Sequence, residues 1–219
     1  LLEMGDAAGA LSSYESVADP SVPDAELDCA RGLALFEMAR LAEAENALQS
    51  AVRGNADLAD AHYALGLIAE LNGTGQEVEH FRRARKLAPD RFPVTPKLST
   101  GDFEAAVEAA LDGLPEEVRQ ALVDIPVLVA EVPHPEDLRA ADPPLSPLSF
   151  GMVVGLAASS GAGLMQDSDS DRAGLLLFKR NLERACPDRQ ALVEEIRETI
   201  LTEAEEALGI MVPRPEDLH

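Results

Sequence analysis

The sequence predicts a mostly α-helical protein, with an N-terminal α-α solenoid followed by a C-terminal α+β domain that carries a small sheet. Three observations predict this class. A pattern with a period of about 34 residues recurs in the first part of the chain. The second part mixes helical periodicity with three short apolar runs. Aromatic residues make up only 4% of a chain without Trp, which favours helices packed on Ala and Leu. The predicted domains are residues 1–93 and 101–219.

The repeat is visible in the segments "GDAAGALSSYESVADP", "RLAEAENALQSAVRGNAD" and "GQEVEHFRRARKLAPD". Their alignment superposes Tyr14 on Leu48 and Phe81, and the preceding halves superpose Gly32 on Gly66. These residues resemble tetratricopeptide repeats, in which small residues let two helices approach closely and a large one fills the gap to the next pair. The resemblance implies about two and a half to three units. The first unit either lacks its first helix or begins inside it.

The same resemblance implies a binding surface, because repeat arrays of this kind bind extended peptides along a concave face formed by the first helix of each unit. The lysine and asparagine clamp that the family uses for peptide carboxylates is absent here, so the implied partner is an apolar protein or peptide surface. The alternative is that the array packs on its own second domain. The positions of the implied groove are Cys29, Ala30, Leu33, Phe36, Tyr63, Ala64, Leu67 and Glu70.

The second domain begins where Pro93 and Pro96 interrupt the helical pattern, and Ser99 or Thr100 can cap the next helix. The stretch "DFEAAVEAALDGLPEEVRQAL" predicts two helical pieces divided at residues 113–115. A strand is predicted for "IPVLVAEV", and two more for "FGMVVGLA" and "GLLLF". Helices around one small sheet make this half α+β.

The remaining segments of this domain are predicted as two connections and a helical end. "PHPEDLRAADPPLSP" predicts a Pro-rich loop, and "SSGAGLMQDSDSD" predicts an irregular hairpin connection. The last stretch, "LERACPDRQALVEEIRETILTEAEEALGI", predicts helix with a break near Pro187 and a new start at Asp188. Helical spacing places Thr202 and Glu206 away from an apolar stripe. That stripe comprises Val193, Ile196, Ile200, Ala204 and Ala207.

The segments "FEAAVEAALDGLPEEVRQAL", "SFGMVVGL" and "GLLLFKRNLERACPDRQALVEEIRETIL", together with Gly209, resemble the minimal zincin-like metallopeptidase family of bacterial proteins. In that family the last helix ends with HExxHxxG. Two His residues four positions apart reach one zinc ion, and the Glu between them activates the bound water. Register against this motif places Thr202 and Glu206 at the two His positions and Glu203 at the general base.

A hydroxyl and a single carboxylate are poor replacements for two imidazoles, so the resemblance implies that the metal site has been lost. We therefore expect no metal, no cofactor and no catalysis, and a role in protein interaction or regulation. Two alternatives stay open. One is an active zinc-dependent metallopeptidase whose unconventional site uses Glu203, Glu206 and a downstream acid, Glu216 or Asp217. The other is a tetratricopeptide adaptor whose second domain is only structural.

Charge and composition limit the classes of partner and the compartment that we expect. Forty acidic and eighteen basic residues give a formal charge of −22, which repels phosphate backbones and disfavours a nucleic-acid role. No apolar run approaches the roughly 20 residues that cross a bilayer. Cys29 and Cys186 belong to no CxxC pair, which predicts a cytoplasmic protein without disulfides. The chain starts without Met, so we expect a fragment, and its oligomeric state stays open. No ligand spacing pairs the four histidines, His62, His80, His134 and His219.

Overall fold

A computed structural model describes residues 6–17, 24–95, 97–141, 143–155, 174–206 and 209–210. In these residues the chain is mostly helical, with one small sheet. The strands are β1 (Val127–Ala130), β2 (Gly151–Val154) and β3 (Gly174–Phe178). The helices are α1 (Ala7–Val17), α2 (Ala25–Glu37), α3 (Leu41–Gly54), α4 (Ala59–Leu71), α5 (Glu77–Leu87), α6 (Thr100–Asp112), α7 (Glu116–Ala121), α8 (Pro135–Ala140), α9 (Lys179–Ala185) and α10 (Arg189–Glu206).

The chain divides into two compact units. Unit 1 lies within Leu1–Val94 and Pro133–Leu148, and unit 2 lies within Thr95–Val132 and Ser149–His219. Helices α1–α5 and α8 belong to unit 1, whereas the three strands belong to unit 2 together with α6, α7, α9 and α10. The predicted domain division ran at residues 93–101 alone. The structure differs in grouping residues 133–148 with the first helices.

Unit 1 is built from helices that pack on their neighbours in sequence, with α2 against α3 and α4 against α5. Asp24 begins α2, where its side chain accepts hydrogen bonds from two backbone amides of the first turn. Glycines make the close approaches possible. A Cβ on Gly32 would lie 2.6 Å from Leu48 Cγ, and one on Gly66 would lie 2.7 Å from the Phe81 ring. The same kind of contact thus occurs once in each helix pair.

The Pro-rich segment after β1 was predicted to be a loop. The structure differs, because this segment contains the short helix α8. Pro135 stands at the first helical position, where its fixed φ suits a helix and its missing N–H costs nothing. Leu138 anchors this helix and is fully buried. Further along, the Ser146 hydroxyl donates a hydrogen bond of 2.6 Å to Glu37 Oε2 at the end of α2. The segment is therefore tied to unit 1.

Unit 2 is an α+β unit whose mixed sheet has the strand order β1-β3-β2. β1 runs parallel to β3, with Val127 opposite Leu175, and β2 runs antiparallel to β3, with Gly151 opposite Leu177. Leu175 and Leu177 are fully buried, which places the sheet's core at its central strand. All three predicted strands are confirmed. The predicted hairpin connection, residues 159–171, lies outside the described residues.

The helices of unit 2 begin where side chains cap them. Ser99 Oγ accepts from the Asp102 amide at 3.1 Å to start α6, and Asp188 Oδ1 accepts from the Ala191 amide at 2.9 Å to start α10. The predicted breaks at residues 113–115 and near Pro187 are confirmed. In the described parts of the chain, none of the helices has the length and apolar character needed to cross a membrane.

Helix α9 carries an unusual set of buried polar side chains. Lys179, Arg180 and Glu183 are each less than a tenth exposed. The Glu183 carboxylate pairs with Arg180 and accepts a hydrogen bond of 2.8 Å from the Leu98 amide. Lys179 Nζ lies 2.9 Å from Glu131 Oε1. These bonds fasten the chain segments before α6 and after β1 to the same helix.

Candidate functional site

The helical turn of residues 202–206 lies at the C-terminal end of α10. Ile196, Ile200 and Ala204 are fully buried and form the face of α10 that packs on unit 2. Thr202 and Glu206 are exposed. Because successive helical residues are about 100° apart, these two side chains share a face directed away from the buried stripe. The spacing predicted this arrangement; of the stripe's other members, Val193 is half-buried and Ala207 lies outside the described residues.

Glu203, between these two positions, is partly buried. Burial raises the pKa of its carboxyl group, and the negative charge of Glu206 raises that pKa further. A hydrogen bond with the backbone of Val153 acts in the opposite direction. Because Val153 belongs to β2, the carboxyl group lies beside an outer strand of the sheet. The turn therefore places a carboxyl group with a raised pKa next to an exposed carboxylate.

The glycine that follows this turn has the backbone geometry that ends a helix. Gly209 has φ of +65°, which a residue with a Cβ adopts only with strain. The Ile210 amide then donates to the Ala204 carbonyl oxygen at 2.9 Å, which ties the chain after the glycine to the end of α10. Glycine at the last position of the motif thus has a structural explanation that needs no metal.

Two histidines that show no ligand spacing in the sequence lie together in unit 1. His62 Nδ1 on α4 and His80 Nδ1 on α5 are 3.3 Å apart. His62 Nε2 also lies 3.2 Å from the Ala56 carbonyl oxygen. Burial lowers the pKa of His80, and the neighbouring His62 lowers it further. Their separation of 18 residues follows from the hairpin of α4 and α5, which ligand-spacing rules do not detect.

The predicted groove positions of unit 1 divide into two groups. Cys29, Phe36, Ala64 and Leu67 are between 2% and 6% exposed and belong to the unit's own core. The remaining positions, Ala30, Leu33, Tyr63 and Glu70, are partly exposed. Half of the eight predicted positions thus pack inside unit 1, and the groove itself stays a prediction.

A cavity that sequence reasoning missed lies in unit 2. It has a volume of about 710 Å³ and is walled by α6, α7 and β1. Val123 is 75% exposed, Leu128 47% and Val129 40%, and all three line it. The apolar run of β1 is typical of a strand buried on both faces. Only the structure shows that this strand stands at an outer edge of the sheet.

A comparison with protein families identifies the family of the region that contains the three strands and α10. Residues 108–219 match a family model described as Zincin-like metallopeptidase. The chain belongs to the zincin-like metallopeptidase family. The matched region is about half of the 219 residues and contains all three described strands and the turn of residues 202–206. No significant match to a curated protein was found.

The name of the zincin-like family implies a metal, and the described turn does not offer the donors that zinc prefers. Zinc sites are built from three or four thiolate, imidazole or carboxylate ligands. Residues 202–206 contain no His or Cys, and Thr202 supplies only a neutral hydroxyl. Within the described residues no three His, Cys, Asp or Glu side chains converge. Glu216 and Asp217, the downstream acids considered as further ligands, lie outside them. The residues of this turn do not fit zinc.

Proposed function

We propose that this chain is a non-catalytic protein for interaction or regulation, in which a short tetratricopeptide-like array is joined to a zincin-like domain that has lost its zinc ligands. The observation that carries the proposal is the composition of the turn of residues 202–206. Register against HExxHxxG places Thr202 and Glu206, both exposed, where the family has imidazoles. A neutral hydroxyl is a poor zinc ligand, and the single carboxylate of Glu206 does not replace two imidazoles.

The remaining carboxyl group supports the same proposal. In a zinc peptidase the general base must accept a proton from water whose pKa the metal has lowered. Glu203 keeps the position of that base, and burial together with the charge of Glu206 raises the pKa of its carboxyl group, which suits a base as well as a structural role. Without an imidazole pair beside it, the group has no metal-bound water to deprotonate. Glu203 then acts as a structural carboxyl group against β2.

The helix pairs of unit 1 support the tetratricopeptide-like array. Gly32 meets Leu48 across the pair α2 and α3, and Gly66 meets Phe81 across the pair α4 and α5. The two contacts lie at equivalent positions of the predicted repeat. Close approach at a small residue, filled from the opposite helix by a large one, is the packing that such repeats need. We assign the array an interaction role through the side chains that stay accessible, such as Leu33 and Tyr63.

The two thiols support a reducing compartment, and we place the protein in the cytoplasm. Both Cys29 and Cys186 are free. Burial raises the pKa of the Cys29 thiol to about 11, so its reactive thiolate is scarce at neutral pH.

The experiment is a zinc measurement on protein purified without chelator, paired with the double variant Thr202→His/Glu206→His. Both positions are exposed, so the new side chains do not disturb the core. We expect the wild-type chain to contain far less than one zinc per molecule and the double variant to acquire zinc. The matched control is Glu194→His/Glu198→His, a pair with the same spacing on the exposed surface of α10. It lacks the family's arrangement and should bind zinc more weakly.

The same preparation tests the main alternative, an active metallopeptidase with an unconventional site. Stoichiometric zinc in the wild-type chain, together with peptide cleavage that chelation abolishes and added zinc restores, contradicts the proposal. A double variant that binds no more zinc than the control also contradicts it, because the register on which the argument rests is then wrong.

A further inference from the structure

The cavity beside β1, with a volume of about 710 Å³, is lined mostly by apolar side chains of unit 2. α6 contributes Phe103 and Val107 to its walls, and β1 contributes Val127. Six large hydrophobic side chains are exposed in the described residues, and three of them, Val123, Leu128 and Val129, line this one cavity. Scattered exposed apolar side chains are ordinary, whereas a group of them along a groove marks a binding surface.

The backbone of β1 is also available. β1 stands at the edge of the sheet and pairs only with β3. The Leu175 amide donates to the Pro126 carbonyl oxygen at 2.9 Å, which sets the alternation of this parallel ladder. The N–H and C=O groups of Val127 and Val129 therefore point away from β3. Among the residues that the structure describes, these outward groups have no partner. An exposed edge of this kind accepts an added strand.

The charges on the rim indicate the kind of strand. Arg119 is paired with Glu116, and Lys179 is paired with Glu131, so the two cations of the groove are neutralised. Glu104 and Glu108 on α6 also line the groove and are exposed. Their charge has the same sign as the net charge of −22 on the whole chain. Opposite charge on an incoming segment would be attracted, and like charge repelled.

We propose that the outer edge of β1 and the adjoining groove bind an extended segment of a partner protein, with alternating aliphatic side chains flanked by Lys or Arg. The segment adds a strand beside β1 through the Val127 and Val129 backbone, and every second side chain enters the groove. Its basic residues face Glu104 and Glu108. A second copy of this chain is a poor occupant, because each copy carries the same acidic rim and a charge of −22. The inference rests on the interaction role proposed above and adds a surface in unit 2 to the one assigned to unit 1.

The test is selection of binders from a random dodecapeptide display library against the intact chain, followed by affinity measurements on the enriched synthetic peptides. We expect enrichment of alternating aliphatic sequences with basic flanks. Val129→Pro removes an outward N–H without removing a ladder hydrogen bond, since Pro is tolerated on the free side of an edge strand. We expect this variant to bind the enriched peptides with an affinity about tenfold lower or more.

A second variant keeps the test valid if Val129→Pro disturbs the strand. Glu104→Lys/Glu108→Lys changes only exposed side chains on α6. It should lower the affinity for basic peptides by about tenfold, and the loss should be smaller at high salt. The matched control is Val78→Lys, a change at a side chain that is 69% exposed on α5 and outside the groove. It should leave the affinity unchanged.

Three outcomes overturn the inference. They are enriched peptides that bind both groove variants as well as the wild type, a library that yields no binders, and a wild-type dimer that dissociates on Val129→Pro. The last result would make a second copy the occupant. The zinc measurement is independent of all three. A chain that binds peptides at β1 and also holds catalytic zinc would refute the proposed function and leave this surface standing.

Discussion

Unit 1 and unit 2 bury different kinds of side chain. The core of unit 1 consists of Ala, Leu and a few larger apolar residues on helices that are neighbours in sequence. The polar and charged residues buried in the described parts of the chain all lie in unit 2, and four of the five are on α9. Unit 1 is thus held by close helix approaches, whereas unit 2 also depends on buried charges that fasten distant segments. Changes that act on one mechanism should leave the other unit intact.

The largest effect is expected at the buried carboxylate of α9. Glu183→Leu removes the group that pairs with Arg180 and accepts from the Leu98 amide, and it leaves buried charge without its counter-ion. Breaking a buried pair from one side costs about 3–5 kcal/mol of the free energy of unfolding. Chemical denaturation, monitored by far-UV circular dichroism, measures this loss of unfolding free energy. Both tyrosines, Tyr14 and Tyr63, lie in unit 1, so tyrosine fluorescence should report an unchanged transition there.

The control for Glu183 is Glu194→Leu, which removes a carboxylate from the exposed surface of α10. Glu194 pairs with Arg197 at the surface, where ion pairs contribute little. We expect this variant to change the free energy of unfolding by no more than about 0.5 kcal/mol. If Glu183→Leu and Glu194→Leu lower the free energy of unfolding equally, buried charge is not what distinguishes unit 2 from unit 1.

A smaller effect is expected where the helices of unit 1 approach most closely. Gly66→Ala places a Cβ 2.7 Å from the Phe81 ring, and overpacking of this kind costs about 1–3 kcal/mol. The gain in helix propensity offsets up to about 1 kcal/mol of that. With the full offset we expect a net loss of up to about 2 kcal/mol of the free energy of unfolding. The fluorescence of Tyr63, whose ring centroid lies 5.5 Å from that of Phe81, measures it.

The sign of the glycine effect gives the sharper test. In the background Phe81→Ala the ring is gone, so Gly66→Ala should become neutral or stabilising through helix propensity. A loss of the same size in both backgrounds would mean that the contact with Phe81 is not the reason for glycine at this position.

The contrast between the units also explains what the sequence could predict. Repeat spacing located Gly32 and Gly66 because their contacts are with the next helix, some 15 residues on. The strands of unit 2 were predicted from apolar runs, yet their order was not, since β1 and β3 are separated by about 45 residues. The turn of residues 202–206 was located from the resemblance to the family motif, and helical spacing then predicted which of its side chains share a face.

Exposure was the property that sequence patterns predicted least well. Cys29 and Leu67 were assigned to a groove by position in the repeat, and both are buried. Leu128 and Val129 lie in an apolar run that is typical of a buried strand, and both are exposed. Periodicity shows which way a side chain points on its own element, whereas its exposure depends on what the rest of the chain places opposite. That information is in the long-range contacts alone.

The third prediction concerns the histidine pair of unit 1. Burial, followed by the charge of His62, lowers the pKa of His80 below its ordinary value of 6.5, while Glu79 and Glu45 act in the opposite direction. The unfolded chain then binds a proton at a higher pH than the native chain does. Stability is therefore lost as the pH falls through about 6.5 and below. His80→Gln should reduce the loss between pH 7.5 and 5.5, on the order of 1 kcal/mol.

The control for the histidine pair is His134→Gln, at an exposed position that caps α8 without a side-chain hydrogen bond. It should leave the pH dependence unchanged. If His80→Gln and His134→Gln give the same pH profile as the wild type, the pair does not couple α4 and α5 to protonation.

The smallest effect, at Glu203, tests the opposite sign in unit 2. Burial and Glu206 raise the pKa of this carboxyl group above its ordinary value, so the native chain binds a proton more tightly than the unfolded chain does. Its contribution to stability is present at low pH and is lost as the pH rises through the raised pKa. Glu203→Gln, which stays neutral, should therefore stabilise the protein at pH 7, on the order of 0.5 kcal/mol, and have no such effect near pH 4. Paired denaturation curves at the two pH values measure the difference, and Glu205→Gln on the exposed side of α10 is the control. Destabilisation by Glu203→Gln at pH 7 would mean that the ionised carboxylate stabilises this turn, as a bound cation would require.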